Sequence, residues 1–427
     1  MFTQLEKYTF LIATWLFLNS CTVQIPLQNG NGDVAQKKVA ENKPEPRPFF
    51  CKTKFLDNGS TVRVFLSLDA GRKLNLMEVS KQFVINYTLY LDYTKGARLA
   101  SGAVTLTGEN VTQDANFTNI WYDIKKPQDK TVLTGVAIFD ILDISSSSKI
   151  ESDCFLRFQS GKVGDYFAIF DQSGRNIINR NYVYAQDTVQ IRSVDAKAQD
   201  FKVVRYKFDF DPALSPLATG TRQATKTLYV DSIFTAKANT QIVLKQEALY
   251  NFMRDTSEVY GVGLMAVDAR FPKITRPEKL LSPLVYMSTS AEMADIRINS
   301  NAKQALDRYW LSLPLGSNQV VAKKTIKAFY QRVEQANKLY TGYKEGWKTD
   351  RGMIYIVMGI PAKITRTKDK EIWTYNRQGQ FSEVNFTFNK RPNQFIDDHY
   401  ELLRYAEYQP IWFPAVDQWR NGDMASK

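Results

Sequence analysis

From position 49 to about 160 the chain alternates apolar and polar residues with the period of two expected of half-buried strands. Thr61–Leu68, Gln82–Leu91, Gly102–Leu106, Phe117–Ile124 and Gly135–Leu142 are rich in Val, Ile, Phe and Tyr. Asp57-Asn58-Gly59-Ser60 and Asp92-Tyr93-Thr94-Lys95-Gly96 stand between runs as hairpin connections. The pattern predicts an antiparallel β-sandwich of about seven strands over residues 49–162. The same grammar returns in Asp165–Phe170, Phe201–Phe210, Thr227–Phe234 and Gly261–Val267, predicting a second β-domain over residues 163–285. From about Ser288 the period lengthens. Leu306, Tyr309, Trp310 and Leu313 fall at i, i+3, i+4 and i+7 before Pro314 ends that helix, and Ile326, Phe329, Tyr330, Val333, Ala336 and Tyr340 line a longer one. The apolar run Met353–Met358 reads as a central strand, with Glu371–Tyr375 and Glu383–Phe388 pairing beside it. Asp397 and Asp398 read as the cap and first turn of a helix reaching about Tyr408. Residues 286–420 therefore form an α+β domain, followed by a short tail, 421–427. Gln409–Pro414, aromatic and proline-punctuated, is either a packing arm or a docking segment.

The N-terminus predicts a compartment. An apolar run from Tyr8 to Leu18, too short for a bilayer core of about 30 Å, follows Lys7 and ends in Leu18-Asn19-Ser20-Cys21. This is the pattern of a bacterial lipoprotein signal, so residues 1–20 are expected to be cleaved and Cys21 to carry lipid. Several acyl chains, at about 0.8 kcal/mol per buried methylene, hold a folded domain stably on a membrane. Thr22 rather than an aspartate directly follows Cys21, and the first acidic residue after it is Asp33, which favours the periplasmic side of the outer membrane over the inner membrane or cell surface. Residues 21–48 lack aromatics and end Lys43-Pro44-Glu45-Pro46-Arg47-Pro48. They read as a flexible tether spanning roughly 30 Å that holds the folded part clear of the headgroups.

Composition narrows the function classes. With 44% hydrophobic and 13% aromatic residues the remainder must fold, and its length calls for several cores. The net charge of +12 is spread along the chain rather than clustered, so a solvated basic surface with some attraction to membranes fits better than a nucleic-acid site. His399 is the only histidine, which leaves little for imidazole catalysis or metal ligation. No cofactor and no metal site are expected. Cys51 and Cys154 remain once Cys21 is lipidated, and in an oxidising compartment they are expected to pair as a disulfide joining the first and last elements of the first β-domain.

One motif stands out: Gly346-Trp347-Lys348-Thr349-Asp350-Arg351-Gly352, running into Met353–Met358 and Gly359-Ile360-Pro361. With Tyr309-Trp310, Tyr330–Val333, Ala336-Asn337 and Glu371–Tyr375 it resembles the signature of the GWxTD-domain proteins of Bacteroidota and Acidobacteriota, over about Leu281–Tyr375. The resemblance implies a fold unit, with residues 286–420 as its GWxTD domain, and brings no reaction with it. Read physically, Gly346 would permit unusual backbone angles at a helix end, and Trp347 would plug a gap between helix and sheet. Thr349 and Asp350 would bond nearby amides, and Arg351 would pair with Asp350 or a strand carbonyl. No nucleophile elbow, phosphate loop or metalloprotease helix is present. The expected function is a non-catalytic lipoprotein that scaffolds or binds a protein partner in an envelope assembly, secretion or transport complex. The alternative is a cell-wall glycan hydrolase or carbohydrate-binding protein using paired carboxylates and aromatic platforms.

Overall fold

Phe50–Asn58 and Thr61–Asp69 form strands β1 and β2. They join at Gly59, whose φ of +73° suits glycine and whose amide donates to the Asp57 carboxylate at 2.9 Å. The pair runs antiparallel from Phe50 opposite Asp69 to Asn58 opposite Thr61. A short helix α1 (Val79–Gln82) leads into β3 (Phe83–Tyr90), followed by β4 (Arg98–Ala103), β5 (Val111–Gln113), β6 (Thr118–Lys125), β7 (Thr134–Asp143) and β8 (Ser148–Arg157). These eight strands, one more than the pattern predicted, form two antiparallel sheets ordered β1-β2-β6-β5 and β4-β3-β7-β8. Leu66, Leu68, Ile120, Phe139 and Leu156 belong to the core that they share. The structure, a computed structural model, describes residues 50–426 apart from 73, 115–116, 208, 221–226 and 377–382. The predicted signal peptide, Cys21 and the tether lie outside the described residues.

The expected disulfide is corrected here. Cys51 in β1 and Cys154 in β8 are free thiols. Their strands lie side by side, with Ser152 Oγ donating to the Cys51 carbonyl at 3.3 Å and Thr53 Oγ1 to the Asp153 carbonyl at 2.6 Å. Burial pushes both thiols up to about 12, so they pack as small protonated hydrophobes.

The second β-region comprises β9 (Ala168–Asp171), β10 (Tyr182–Tyr184), β11 (Thr188–Arg192), β12 (Asp200–Lys207), β13 (Tyr229–Lys237), β14 (Ile242–Val243), β15 (Ala248–Met253) and β16 (Val262–Val267). A three-stranded sheet, β14-β11-β9, and a five-stranded one, β10-β16-β15-β12-β13, share a core that includes Val189, Phe201 and Phe252. The pairing of β10 with β16 is parallel.

The C-terminal region opens with α2 (Pro277–Leu281), α3 (Ser290–Ile298), α4 (Ala302–Ser312) and α5 (Gln319–Tyr340). A capping box between Thr289 and Glu292 starts α3, and Asn318 caps α5. Met353–Met358, expected as a strand, is instead the body of helix α6 (Asp350–Met358), capped by Thr349. Every residue from Asp350 to Val357 is buried, and a helix apolar all round carries no 3.6 period to distinguish it from a buried strand. The sheet is β17 (Lys363–Arg366), β18 (Lys370–Asn376), β19 (Glu383–Lys390) and β20 (Tyr400–Leu402), in that order. The expected antiparallel pairing of Glu371–Tyr375 with Glu383–Phe388 is present. No helix begins at Asp397; that stretch leads into β20, because both aspartates are engaged by distant arginines. The last helix, α7 (Gln409–Asn421), starts within the proline-punctuated segment and buries Trp412 and Trp419. Trp310, Phe329, Trp347, Trp373, Phe386 and Trp419 lie in one core. Among the described residues, no helix is long and apolar enough to cross a membrane.

Candidate functional site

The motif at 346–352 is a turn pressed against α5. A Cβ on Gly346 would lie 2.0 Å from the Ala336 carbonyl oxygen, and one on Gly352 would lie 1.9 Å from the Gly346 carbonyl oxygen. Glycine is therefore needed for close approach, and Gly346 has no left-handed φ as had been expected. Asn337, fully buried on the apolar face of α5, accepts from the Trp347 amide at 3.0 Å and donates to the Pro272 carbonyl at 2.9 Å. Thr341 Oγ1 accepts from the Gly346 amide at 2.9 Å and donates to the Asn337 carbonyl at 2.6 Å. The Trp347 ring is 4% exposed and meets Tyr286 edge to face, while Tyr286 donates its hydroxyl to the Trp347 carbonyl at 2.8 Å. Thr349 Oγ1 donates to the Gly346 carbonyl and accepts from the Gly352 amide, closing the cap of α6.

Asp350 and Arg351 reach outward to other elements. Asp350 accepts from the Leu402 amide at 2.7 Å and from Arg404 Nη2 at 2.6 Å. Arg351, expected to pair with Asp350 or a strand carbonyl, donates to both the carboxylate and the carbonyl of Asp398, just ahead of β20, at 2.9 and 3.0 Å, stands 3.9 Å from Glu371, and lies over the Tyr400 ring. Buried Glu371 also binds Arg366 at 2.8 Å, and Arg366 reaches Asp153 of β8 at 2.8 Å. Tyr93 donates to the same aspartate at 2.8 Å. A relay Asp398–Arg351–Glu371–Arg366–Asp153 thus runs from the motif into the first sandwich. A second clamp joins Arg157 of β8 to Asp165 and Asp397, with Lys162 bound to Asp397 at 2.9 Å. Burial opposes the charge on Arg351 and Arg366, but their carboxylate partners hold both pKa values above the ordinary arginine range. Burial would raise Asp397 and Asp398, yet Arg157 and Lys162 on the one and Arg351 on the other keep both below the usual carboxylate range.

Residues 248–421 match the family model of the GWxTD domain. This chain carries a GWxTD domain. The match begins in β15, inside the five-stranded sheet, and ends with α7, so it extends beyond Leu281–Tyr375 at both ends. No curated protein and no solved structure matches the chain.

Beside the signature the GWxTD domain opens a cleft of about 880 Å³ whose lining includes Tyr343, Lys344, Asp350, Arg391, His399 and Glu401. Glu401 stands 3.4 Å from His399 Nε2 and 3.6 Å from Arg391 Nε; the bond from His399 and the nearby cations hold its pKa below the usual range. Burial lowers the Lys344 amine to about 8, while its Nζ donates to the Asp211 carbonyl at 3.4 Å. Among the described residues, no group of three or more His, Cys, Asp or Glu side chains is placed to hold a metal ion. The structure brings Gly346, Trp347, Thr349, Asp350, Arg351 and Gly352 together as one turn, while Cys51 and Cys154 lie in the sandwich strands β1 and β8 and take no part in it. Sequence reasoning missed Tyr286, Arg404, Glu371, Arg366 and Asp153 as partners of the GWxTD turn. Asn337 carried a usable signal, an amide side chain in the middle of an apolar helical stripe. Asp153 and Arg366 carried none.

Proposed function

We propose that this protein is a non-catalytic, lipid-anchored scaffold on the periplasmic side of the outer membrane, presenting a rigid multidomain body to a protein partner in an envelope assembly, secretion or transport complex. The observation that carries this reading is the use made of the signature's polar groups. Thr349 caps a helix, Asp350 holds a strand amide and Arg404, and Arg351 joins the relay to the first sandwich. A catalytic group needs an atom free to meet substrate, and these are engaged with the protein itself. A glycan-hydrolysing acid needs a raised pKa, whereas each described carboxyl group with a displaced pKa, Glu401 and Asp398 included, has it displaced downward. The cleft supports a second reading, a cell-wall glycan bound without cleavage, because Tyr343 brings a ring beside the polar Arg391 and Asn393.

Co-purification from native membranes tests the scaffold. A stoichiometric envelope protein that accompanies the full chain, and whose recovery falls with Cys21→Ser, is the expected outcome. Release of soluble fragments from purified cell wall, abolished by Glu401→Gln, would replace the scaffold with a hydrolase.

A further inference from the structure

The ends of five strands meet at one tip of the first sandwich. Phe50 begins β1 opposite Asp69, the last residue of β2, while Phe83 begins β3 opposite Asp143, the last residue of β7, and Ser148 begins β8. The loop between β2 and α1 is pinned there: Arg72 binds the Asp143 carboxylate at 3.0 Å and Ser145 Oγ at 2.7 Å. On the other side the Ile144 amide donates to the Gln82 carbonyl at 2.8 Å. This ordered tip exposes apolar side chains that a soluble surface has no use for. Met77 is 88% exposed, with Leu76, Val84, Leu142 and Ile144 exposed near it, and Val84 sits directly across from Leu142. Arg72, Lys81 and Lys149 surround them, with Lys149 paired to Asp140 and with exposed Glu78 and half-buried Asp69 also on this tip.

We propose that this tip rests in a phospholipid bilayer, Leu76 and Met77 reaching past the headgroups and the basic side chains staying among them. What selects lipid as the occupant is the place where the rest of the chain joins. The segment that follows Cys21 runs into β1 at Phe50, on this same tip, so a lipid-anchored chain delivers these side chains to the membrane first. The inference rests on the anchor reading and adds to it a second contact. Twenty-nine residues lead from Cys21 to Phe50, so even a fully extended chain holds the tip within about 100 Å of the anchor, a confinement at which a few apolar side chains suffice for docking. The folded body then touches the headgroups rather than standing clear of them.

The test uses the full, acylated chain carrying Met77→Cys, with an environment-sensitive fluorophore on that cysteine; Cys51, which is only partly buried, and Cys154 are replaced by Ala so that neither takes the label. Ile298→Cys, at a residue 84% exposed in α3 of the GWxTD domain, is the control. The proteins are mixed with vesicles of phosphatidylethanolamine and phosphatidylglycerol, with and without nitroxide-labelled lipid. Expected are a blue shift and loss of most of the emission to the nitroxide at position 77, with neither at position 298. If the acylated chain floats with the vesicles while the probe at 77 stays in water, the tip contact is overturned and the anchor stands. A mature chain without acyl groups overturns both. A shift at 77 in native membranes but not in these vesicles assigns the tip to a protein partner and overturns the lipid contact.

Discussion

The turn at Gly346–Gly352 and the sandwich tip around Met77 are both short and both ordered by named hydrogen bonds, yet they dispose of their side chains in opposite ways. In the turn, Trp347 is 4% exposed and Thr349, Asp350 and Arg351 all bond within the protein. At the tip, polar atoms of Arg72 and Asp143 hold the loop while Met77 projects into solvent. The conspicuous sequence motif is thus an internal fastening, and the unremarked loop is a working surface. A memorable string of residues reports how tightly a position is constrained, and packing constrains as strictly as chemistry does.

The contrast can be broken most forcefully at Trp347. Trp347→Ala is expected to lower stability by about 3 to 5 kcal/mol, the usual result of emptying a buried aromatic site; an unchanged midpoint in urea denaturation would make the ring a surface feature. Acid should act next. Asp397 and Asp398 have depressed pKa values in the folded state, so their contribution is present above the unfolded value of about 3.9 and is lost as pH falls through the folded values. The melting temperature is expected to hold down to about pH 4 and to fall below it, and Asp398→Asn to shrink that fall. A smaller effect tests the relay. Arg366 and Asp153 are partly exposed, so a double-mutant cycle with Arg366→Ala and Asp153→Ala should give a coupling of about 0.5 to 1 kcal/mol after solvent screening; additivity would show that this step of the relay carries no coupling. Met77→Asp should move stability least, by no more than about 0.5 kcal/mol, and a large loss in thermal denaturation would show that the tip is part of a core.

Legibility followed burial geometry. Strand β3 and helices α4 and α5 could be read because one face is buried and the other wetter, which stamps a period on the chain; β2 and β7, buried on most residues, could be read from their Val, Ile, Leu and Phe content and the turns that bound them. Helix α6 and strand β15 could not, since both are buried nearly all round and no alternation survives. Asp397 and Asp398 were misplaced for a different reason: paired acids before an apolar run imitate a helix cap, whereas their real partners, Arg157 and Arg351, are distant in sequence. Of the candidate site, Trp347 was legible as a buried plug and Thr349 as a bond to nearby amides, but the helix that Thr349 caps had been expected as a strand. The need for glycine at 346 was legible, but its cause, a carbonyl 2.0 Å from any added Cβ, belongs to the packing of α5.

The position of β1 gives the molecule a load path. Any pull on the N-terminal segment arrives at Phe50 and passes into a strand bonded to β2 along its whole length. Two residues in, Lys52 donates its ammonium to the carbonyl of Lys338 in the last turns of α5, at 2.9 Å. The first described strand is thereby coupled to the helix against which the Gly346–Gly352 turn is pressed.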